Sequence, residues 1–477
     1  MIVDRMQSLS VSELDLIHQT TMTILEKNGL AFSDEETLDL FKKNGFKVSG
    51  GQVYFTEKDV LAALSTTPDK LTIKARNPEK SVTAGRDEFI FVPFYGPPFV
   101  VEADGRQRLG VMSDYEKAVK LVQTSRAADM GGFKYVEPSD LPTETAYLDM
   151  LLANITLSDK AALGSTDNPQ AAEDTLEIME LVHGRDCMAD NGVVVGLISP
   201  FSPLAFAADM SGSIISYARR RQPLIILNMV MAGISGPIQL PGLMAMANAE
   251  ILGGVVLSQL AGPGTPVVYG TTSCPTNLKT GEPLTANPET LWISQAIMQL
   301  ARYYNLPCRT GGSLTDSLLP DAQALAEGAM SLMNAVRGGA NFIMHSLGMM
   351  GSFIGISFEK WIMDEELCGW MRAMVQKRPI VPETLSLESI LAVGSNGSFL
   401  PLRETAKLCR KAAYENMIFN KTAAVPQKNE GAEDLAARAK SALDRRMAEY
   451  VKPDIDPGLE KDLRRLISEL KEKRGRN

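Results

Sequence analysis

Two short polar runs place an arginine and a histidine among glycine and hydroxyl residues, each directly after an apolar stretch. One run extends from Arg309 to Ser313 and is followed by Asp316, and the other begins at His345. No Ser-His-Asp or Cys-His arrangement and no acid–base pair of carboxylates stands out. These residue types predict a binding pocket rather than a hydrolase, with His345 as the candidate catalytic residue. The alternatives are a core histidine and a structural ion pair of Arg309.

Aromatic residues form only 6% of the chain, yet several follow the same kind of apolar stretch. Aromatic faces can bind a permanently charged ammonium group, each contributing roughly 0.5–2 kcal/mol. The alternative is that these rings simply fill the interior. The aromatic candidates for substrate binding are Phe94, Tyr95, Phe99, Tyr135, Tyr269 and Phe353.

Histidine and cysteine are scarce, with three and five residues respectively, and none shows Cys-x-x-Cys, His-x-x-x-His or His-Glu-x-x-His spacing. We therefore expect no zinc or iron–sulfur site, although distant ligands could still assemble one. Dispersed thiols are typical of a reducing cytoplasm. A net charge of −9 argues against nucleic-acid binding. The apolar runs 223–233 and 242–262 are too short or too interrupted by polar residues to span a membrane.

Eight apolar, strand-like runs alternate with amphipathic helices through the middle of the chain. Such an alternation over about 290 residues is typical of a (β/α)₈ TIM barrel, whose active site lies at the carboxyl ends of its strands. No Gly-x-Gly-x-x-Gly follows these runs, which argues against a dinucleotide-binding fold. The predicted strands are 88–93, 130–136, 160–165, 192–199, 223–230, 265–271, 306–311 and 341–347. The predicted helices are 113–126, 143–157, 169–182, 203–220, 242–260, 288–305, 321–338 and 358–376.

Helical sections flank this barrel on both sides. We predict an N-terminal helical and hairpin cap over 1–87, a catalytic barrel over 88–378 and a C-terminal helical extension over 379–477. In the cap, Ser10 or Ser12, Ser33 and Thr56 are the expected helix N-caps. Two charged helices over 430–450 and 457–472 carry narrow apolar stripes, which predict a packed tail or an oligomer contact. We expect a homo-oligomer.

A motif pattern extends across the last barrel units and resembles the trimethylamine methyltransferase (MttB) family of corrinoid-dependent enzymes. The opening of the chain, from Ser12 through His18 to Asn28-Gly29, is also similar to that family, so the resemblance covers nearly the whole sequence. The motif residues are Ser313-Leu-Thr-Asp316, Asp321-Ala-Gln323, Glu327, Asn341-Phe-Ile-Met-His345, Ser357-x-Glu359 and Asp364-x-Glu366.

This resemblance implies an enzyme that moves a methyl group from an amine to the cobalt of a separate corrinoid protein, and that binds no cofactor tightly itself. The sequence contains only the twenty standard residues, so it is similar to the branch without pyrrolysine, which demethylates quaternary amines. The implied substrate is glycine betaine or proline betaine, with carnitine also open, in methylotrophy of the methanogenic or acetogenic type. A tertiary-amine methyltransferase and a non-catalytic betaine sensor remain as alternatives.

The chemistry of a quaternary ammonium suits such a pocket, because loss of a methyl group releases a neutral amine and needs no general acid. The protein then has to bind the cation, orient one methyl group and exclude water. Under this hypothesis the aromatic rings flank the ammonium, and Asp167 or Asp316 compensates its charge. Arg309 or His345, with nearby hydroxyls, holds the carboxylate of a betaine.

Overall fold

The computed structural model describes residues 5–190, 192–421 and 433–475. In its N-terminal section Ser10 and Thr56 cap two helices as predicted, because each accepts a hydrogen bond from the first turn of its helix. Asp34, rather than Ser33, caps the helix between them. The elements are α1 (Val11–Lys27), β1 (Leu30–Phe32), α2 (Glu35–Lys43), β2 (Lys47–Ser49), β3 (Gln52–Tyr54), α3 (Glu57–Thr66), β4 (Lys70–Ile73), a 3₁₀ turn (Pro78–Lys80) and β5 (Val82–Gly85).

The middle section contains every helix that the sequence predicts, and one short helix that it does not, α7. Its elements are β6 (Ile90–Phe91), β7 (Phe99–Val101), β8 (Gln107–Leu109), α4 (Met112–Thr124), α5 (Ala146–Leu157), α6 (Pro169–His183), α7 (Arg185–Asp190), β9 (Gly196–Ile198), β10 (Ala205–Phe206), α8 (Ala208–Arg219), β11 (Leu224–Asn228), α9 (Leu240–Ala261), β12 (Val267–Thr271), β13 (Thr276–Asn277), β14 (Glu282–Pro283), α10 (Pro288–Tyr303), β15 (Cys308–Gly311), α11 (Ala322–Gly338), β16 (Phe342–Met344), β17 (Met349–Met350), β18 (Gly355–Ile356) and α12 (Phe358–Val375).

Six of the eight predicted strands form one parallel sheet in the order β6-β16-β15-β12-β11-β9. These strands are buried because helices cover the outer face, which explains their continuous apolar runs. Arg309 of β15 pairs with Gly270 of β12 on one side and with Phe342 of β16 on the other. The molecule is thus an α/β protein built on a curled, parallel half-barrel sheet.

The two remaining predictions, strands over 130–136 and 160–165, are wrong as strands. The first segment has no strand, and the second forms a single bridge between Leu163 and Val195. Glycines at 131, 132 and 164 account for this, since glycine weakens a strand interior and marks a close approach of other atoms. Single backbone hydrogen bonds still join these segments to their neighbours, from Asp129 N to Phe91 O (3.0 Å) and from Gly131 N to Ala161 O (2.7 Å).

Helix α9 is long and apolar enough to cross a membrane by length and composition alone. However, 83% of its most apolar window is buried inside the protein, where it packs against α1, α3 and α8. Burial on all sides explains why its sequence lacks an amphipathic pattern. The strand β1, which the sequence analysis missed, pairs with β10 and attaches the N-terminal section to this region.

The C-terminal section ends in two helices that pack onto α4, α5, α6 and α12. Leu443 of the first and Leu463 of the second are fully buried, and Arg446 and Arg474 form bidentate ion pairs with Glu365 and Asp174. The predicted apolar stripes therefore belong to a packed tail, although residues 430–432 of that prediction lie outside the described residues. The elements are a 3₁₀ turn (Pro382–Leu385), α13 (Leu387–Val393), α14 (Arg403–Leu408), α15 (Leu435–Ala448) and α16 (Pro457–Arg474).

Candidate functional site

Arg309 and His345 meet at the carboxyl end of the parallel sheet. Arg309 Nη2 lies 2.8 Å from His345 Nδ1, and Arg309 Nη1 donates to the carbonyl of Thr271 at 2.8 Å. The guanidinium reaches these partners by passing over Gly270, where an added Cβ would lie 2.9 Å from the Arg309 Cβ. The two polar runs singled out in the sequence therefore form one site.

The Arg309 guanidinium is fully buried, and among the described residues it has no carboxylate partner. Its Nε has no hydrogen-bond partner there either. Burial lowers the pKa of Arg309 from its ordinary value to about 9. A buried cation without a counter-ion is costly, so an anion bound here would recover electrostatic free energy.

His345 has a backbone conformation that is uncommon for a residue with a side chain, with φ of +56°. Burial and the charge of Arg309 lower its pKa well below 6.5, while the Tyr95 backbone opposes that shift. The imidazole is therefore neutral at pH 7. Because Nδ1 accepts from Arg309, the ring proton lies on Nε2.

Phe353 and Asp316 lie on the same side of the sheet as this pair. The Phe353 ring is centred 4.9 Å from the His345 ring. Its neighbour Ser352 donates to Asp316 at 2.6 Å, and Asp316 also accepts from the Thr285 hydroxyl and from the Thr285 and Ala286 backbone. Asp316 therefore connects three loops and positions Phe353.

Tyr95, Lys134 and Asp167 lie at or near the carboxyl ends of the first three predicted strands and bring these chain segments together. Lys134 Nζ lies 2.6 Å from Asp167 Oδ1, and Gly96 N donates to the Lys134 carbonyl at 2.6 Å. Burial raises the pKa of half-buried Tyr95 to about 12, so its phenol is protonated at neutral pH. The lysine already compensates Asp167, which limits the negative charge available to a bound cation.

Three of the predicted aromatic residues lie within the packed interior. Phe94 is fully buried, with its ring at edge-to-face angles to Tyr135 and Trp361. Tyr269 points to the helical layer, where its hydroxyl donates to Asn248 of α9 at 2.8 Å. The structure does not bring Tyr269 to the Arg309–His345 pair. Half-buried Phe99 lies on β7, beside β18 of the loop that carries Phe353.

Ser313 lies beside a fully buried ion pair rather than beside Arg309. Its hydroxyl donates to Asp364 Oδ1 at 2.6 Å, and Lys360 Nζ lies 2.7 Å from Asp364 Oδ2. The second Asp364 oxygen also accepts from Gly348 N at 2.7 Å. The pair therefore connects α12 to the loops that carry the candidate site. The i,i+4 spacing of Lys360 and Asp364 on α12 is the sequence signal that could have found the pair.

A second buried polar group, also missed in the sequence, supports Thr271. Asn228 accepts from the Thr271 hydroxyl at 2.9 Å and donates to Glu250 at 2.7 Å. Ser202 and Leu204 N donate to Glu250 as well, and burial raises its pKa. Glu250 was visible only as an acid that interrupts the apolar run of α9, and such a buried acid needs partners.

The motif residues at the start of α11 have structural roles. Asp321 caps the helix by accepting from Ala324 N, and Gln323 donates to Glu327 across one turn at 2.8 Å. Glu327 also accepts from the Thr315 hydroxyl and from Asp316 N. These residues thus support the loop that contains Asp316.

Comparison with known proteins identifies relatives over nearly the full length. The family model for trimethylamine methyltransferase (MTTB) matches residues 2–475. The glycine betaine methyltransferase of Desulfitobacterium hafniense is 36% identical over 462 residues, covering 97% of this chain and 96% of that one. The proline betaine:corrinoid methyltransferase of Eubacterium limosum is 30% identical over 472 residues, covering 97% of both chains.

Among solved structures, the monomethylamine methyltransferase of Methanosarcina barkeri aligns with 95% of this chain and 97% of its own, at a TM-score of 0.50 and 11% identity. At that identity the likeness concerns the fold alone. The full-length match to the family model and the two sequence relatives is independent of it. This chain belongs to the trimethylamine methyltransferase (MTTB) family.

Proposed function

We propose that this protein demethylates a quaternary amine, preferably glycine betaine or proline betaine, by transferring a methyl group to the Co(I) corrinoid of a separate corrinoid protein. The observation that carries the proposal is the buried Arg309 guanidinium, which has no carboxylate partner among the described residues. A betaine supplies that carboxylate together with the quaternary ammonium. The relatives that act on glycine betaine and proline betaine, by their names, support the same substrate class.

The transfer balances without a proton. The Co(I) electron pair forms the new bond to the methyl carbon, the C–N bond breaks, and its electron pair stays on nitrogen as a neutral tertiary amine leaves. Because no general acid is required, a neutral His345 is suited to holding the substrate rather than to proton transfer. The contribution of the chain is orientation, charge matching and exclusion of water.

For the site, we propose that Arg309 and His345 Nε2 bind the betaine carboxylate. Half-buried Tyr95 and Phe353 then lie within reach of the ammonium, with Phe99 next to them, and Asp316 positions the Phe353 loop. Phe94, Tyr135 and Ser313 do not contact the substrate but pack against and support the residues that do. This division follows burial and hydrogen bonding, since a ring enclosed by other rings has no free face for a cation.

For the architecture, we propose that segments 130–136 and 160–165 complete an eight-unit barrel through their backbone hydrogen bonds, between a cap over 1–87 and an extension over 379–477. The chain would act in the cytoplasm, without a tightly bound cofactor of its own. The corrinoid protein and the small quaternary amine would be its partners.

The test is to mix the protein with a reduced corrinoid protein and candidate amines, and to follow the cobalt absorption spectrum. We expect Co(I) to be consumed with glycine betaine or proline betaine but not with trimethylamine. Consumption with trimethylamine instead would support a tertiary-amine enzyme. The corrinoid protein in this assay should be one that accepts methyl groups from a known methyltransferase. Betaine binding in calorimetry without any loss of Co(I) would then indicate a sensor.

A further inference from the structure

Helix α9 has a single charged residue, Glu250, in an otherwise apolar or uncharged sequence of 22 residues. Its side chain is fully buried, and no lysine, arginine or histidine pairs with it in the part of the chain that the structure describes. A buried carboxylate without a cation is unfavourable for folding, and a neutral side chain of similar volume avoids that penalty. Packing alone therefore gives no reason for an acid at this position.

The carboxylate of Glu250 accepts three hydrogen bonds from two segments at the carboxyl end of the sheet. One segment is the loop after β9, from which Leu204 N donates to Oε1 and the Ser202 hydroxyl donates to Oε2, each at 2.8 Å. The other is the end of β11, where Asn228 Nδ2 donates to Oε2 at 2.7 Å. Glu250 therefore joins these two segments to α9.

These contacts fix the orientation of the Asn228 amide. A carboxylate only accepts hydrogen bonds, and so does the Ala247 carbonyl, which accepts from the same Asn228 nitrogen at 3.0 Å. The amide nitrogen therefore faces α9, and the amide oxygen faces the next strand, where it accepts from the Thr271 hydroxyl at 2.9 Å. The Asn228 carbonyl also accepts from Thr272 N at 2.7 Å. Asn228 thus holds the end of β12 and the residue after it.

Thr271 in turn provides the main-chain carbonyl that meets Arg309. Arg309 Nη1 donates to this carbonyl at 2.8 Å, while Nη2 donates to His345 at the same distance. These two acceptors set the plane of the guanidinium, because its donors have fixed directions. A shift of the Thr271 carbonyl would rotate the guanidinium relative to His345. Glu250 is therefore connected to Arg309 through two intermediate residues.

We propose that Glu250 is a positioning residue for Arg309 and acts through Asn228 and Thr271. It does not contact the substrate, but it holds the carbonyl that aligns the guanidinium. The consequence for betaine binding rests on the proposed function, in which Arg309 binds the carboxylate. A role of this kind differs from general packing, because its loss should change the direction of one side chain and leave the fold in place.

The first test compares betaine affinity in Glu250→Met with that in a matched control, Glu366→Met. Methionine is similar in length to glutamate, suits an apolar helix and offers no strong acceptor. Glu366 of α12 is equally buried and accepts from the backbone nitrogens of Met417 and Ile418. We expect about a tenfold loss of affinity in Glu250→Met, the equivalent of one hydrogen bond, and none in the control. Parent-like affinity in Glu250→Met, or an equal loss in both variants, overturns the proposal.

The second test asks whether the effect passes through Arg309. The double variant Glu250→Met/Arg309→Gln should bind betaine as Arg309→Gln does, because no guanidinium remains to be aligned. Thr271→Val removes the hydroxyl that Asn228 holds and keeps the shape of the side chain, so it should reproduce Glu250→Met. Additive losses in the double variant, or parent-like affinity in Thr271→Val, overturn the connection through Asn228 and Thr271.

A third measurement needs no substrate. The chain contains three histidines, His18, His183 and His345, so nitrogen-15 labelling of histidine gives few NMR signals, and His345→Asn identifies the one of interest. The Nδ1 signal of His345 should move in Glu250→Met, because its hydrogen bond from Arg309 changes, while the other two histidines keep their signals. An unmoved His345 signal overturns the positioning role. If the parent binds no betaine, the proposed function fails, and this signal still decides the role of Glu250.

Discussion

Arg309 and His345 come from neighbouring parallel strands, and Nη2 of the arginine donates to Nδ1 of the histidine across 2.8 Å. Each residue fixes the state of the other. The arginine charge and burial keep the imidazole neutral, and the imidazole gives the guanidinium an acceptor without a negative charge. The pair therefore keeps a positive charge in the interior that a bound carboxylate can match.

Removing that charge should reduce substrate binding without weakening the fold. For Arg309→Gln we expect about a 10- to 100-fold loss of betaine affinity in calorimetry, the equivalent of a charge-assisted hydrogen bond of about 1.5–3 kcal/mol. The free energy of unfolding in urea should not fall, because an uncompensated buried cation is removed. Arg474→Gln is the matched control, since it should destabilise the fold by breaking the Asp174 pair but leave affinity intact. Unchanged betaine affinity in Arg309→Gln would contradict the carboxylate proposal.

His345→Asn tests whether the His345 imidazole donates a hydrogen bond to the betaine carboxylate. Asparagine tolerates positive φ better than other residues with side chains, so the backbone at φ of +56° should be retained. We expect the rate of methyl transfer to fall at least about tenfold, the cost of one hydrogen bond to a charged group. Half-buried His183, at the end of α6, provides the control substitution His183→Asn, which should keep full activity. Full activity of His345→Asn would place this histidine in the packed core.

The pH dependence of betaine binding should follow Arg309. The carboxylate requires the charged guanidinium, so affinity should be constant from pH 7 to about 9 and fall up to tenfold per pH unit above that value. Loss of the Arg309 proton does not unfold the protein, so unfolding through this group cannot cause the fall in affinity. An unfolded arginine keeps its proton to a much higher pH than the buried Arg309, so above about pH 9 the contribution of Arg309 to the free energy of unfolding rises with pH. Calorimetry across this pH range measures the betaine affinity of the parent and of Arg309→Gln, and the variant should show no such pH dependence. A parent affinity that stays constant up to pH 10 would refute the prediction.

The buried Lys360–Asp364 pair should matter for stability rather than for substrate specificity. Asp364→Asn leaves a buried lysine without its counter-ion and should lower the free energy of unfolding by about 3–5 kcal/mol. The double variant Lys360→Met/Asp364→Leu should recover much of that loss, because no unpaired charge remains. Urea denaturation followed by circular dichroism measures both. Equal stability of Asp364→Asn and the parent would show that the pair is not needed.

Local sequence patterns predicted the helices well because each contains its own determinants. Ser10 and Thr56 cap their helices, and Asp321 caps α11, from information within four residues. The six central strands were predictable for a similar reason, since burial on both faces leaves an apolar run. The segments around Gly131 and Gly164 were not, because their hydrogen bonds depend on which neighbours approach them in three dimensions.

The candidate site was predictable in part, and the limit was side-chain direction. Ends of parallel strands meet, so Arg309 and His345 could be placed together from the strand list. Tyr269 lies on β12 as well, but its side chain points to Asn248 in the helical layer. A strand alternates its side chains between two faces, and a register error of one residue reverses that assignment.

Phe94 and Phe353 should separate packing from binding, because both are aromatic candidates near the same strand ends but differ in burial. Phe94 lies among Tyr135 and Trp361, so Phe94→Ala should cost about 3–5 kcal/mol of stability by leaving a cavity. Phe353 is half-buried beside His345, so Phe353→Ala should leave the fold nearly intact and weaken betaine binding about 2- to 30-fold, the value of one cation–π face. Thermal unfolding and calorimetry on both variants measure the two effects. Since Phe353→Leu keeps the bulk but removes the aromatic face, it should bind as weakly as Phe353→Ala. Parent-like affinity in Phe353→Leu would show that the residue only fills space.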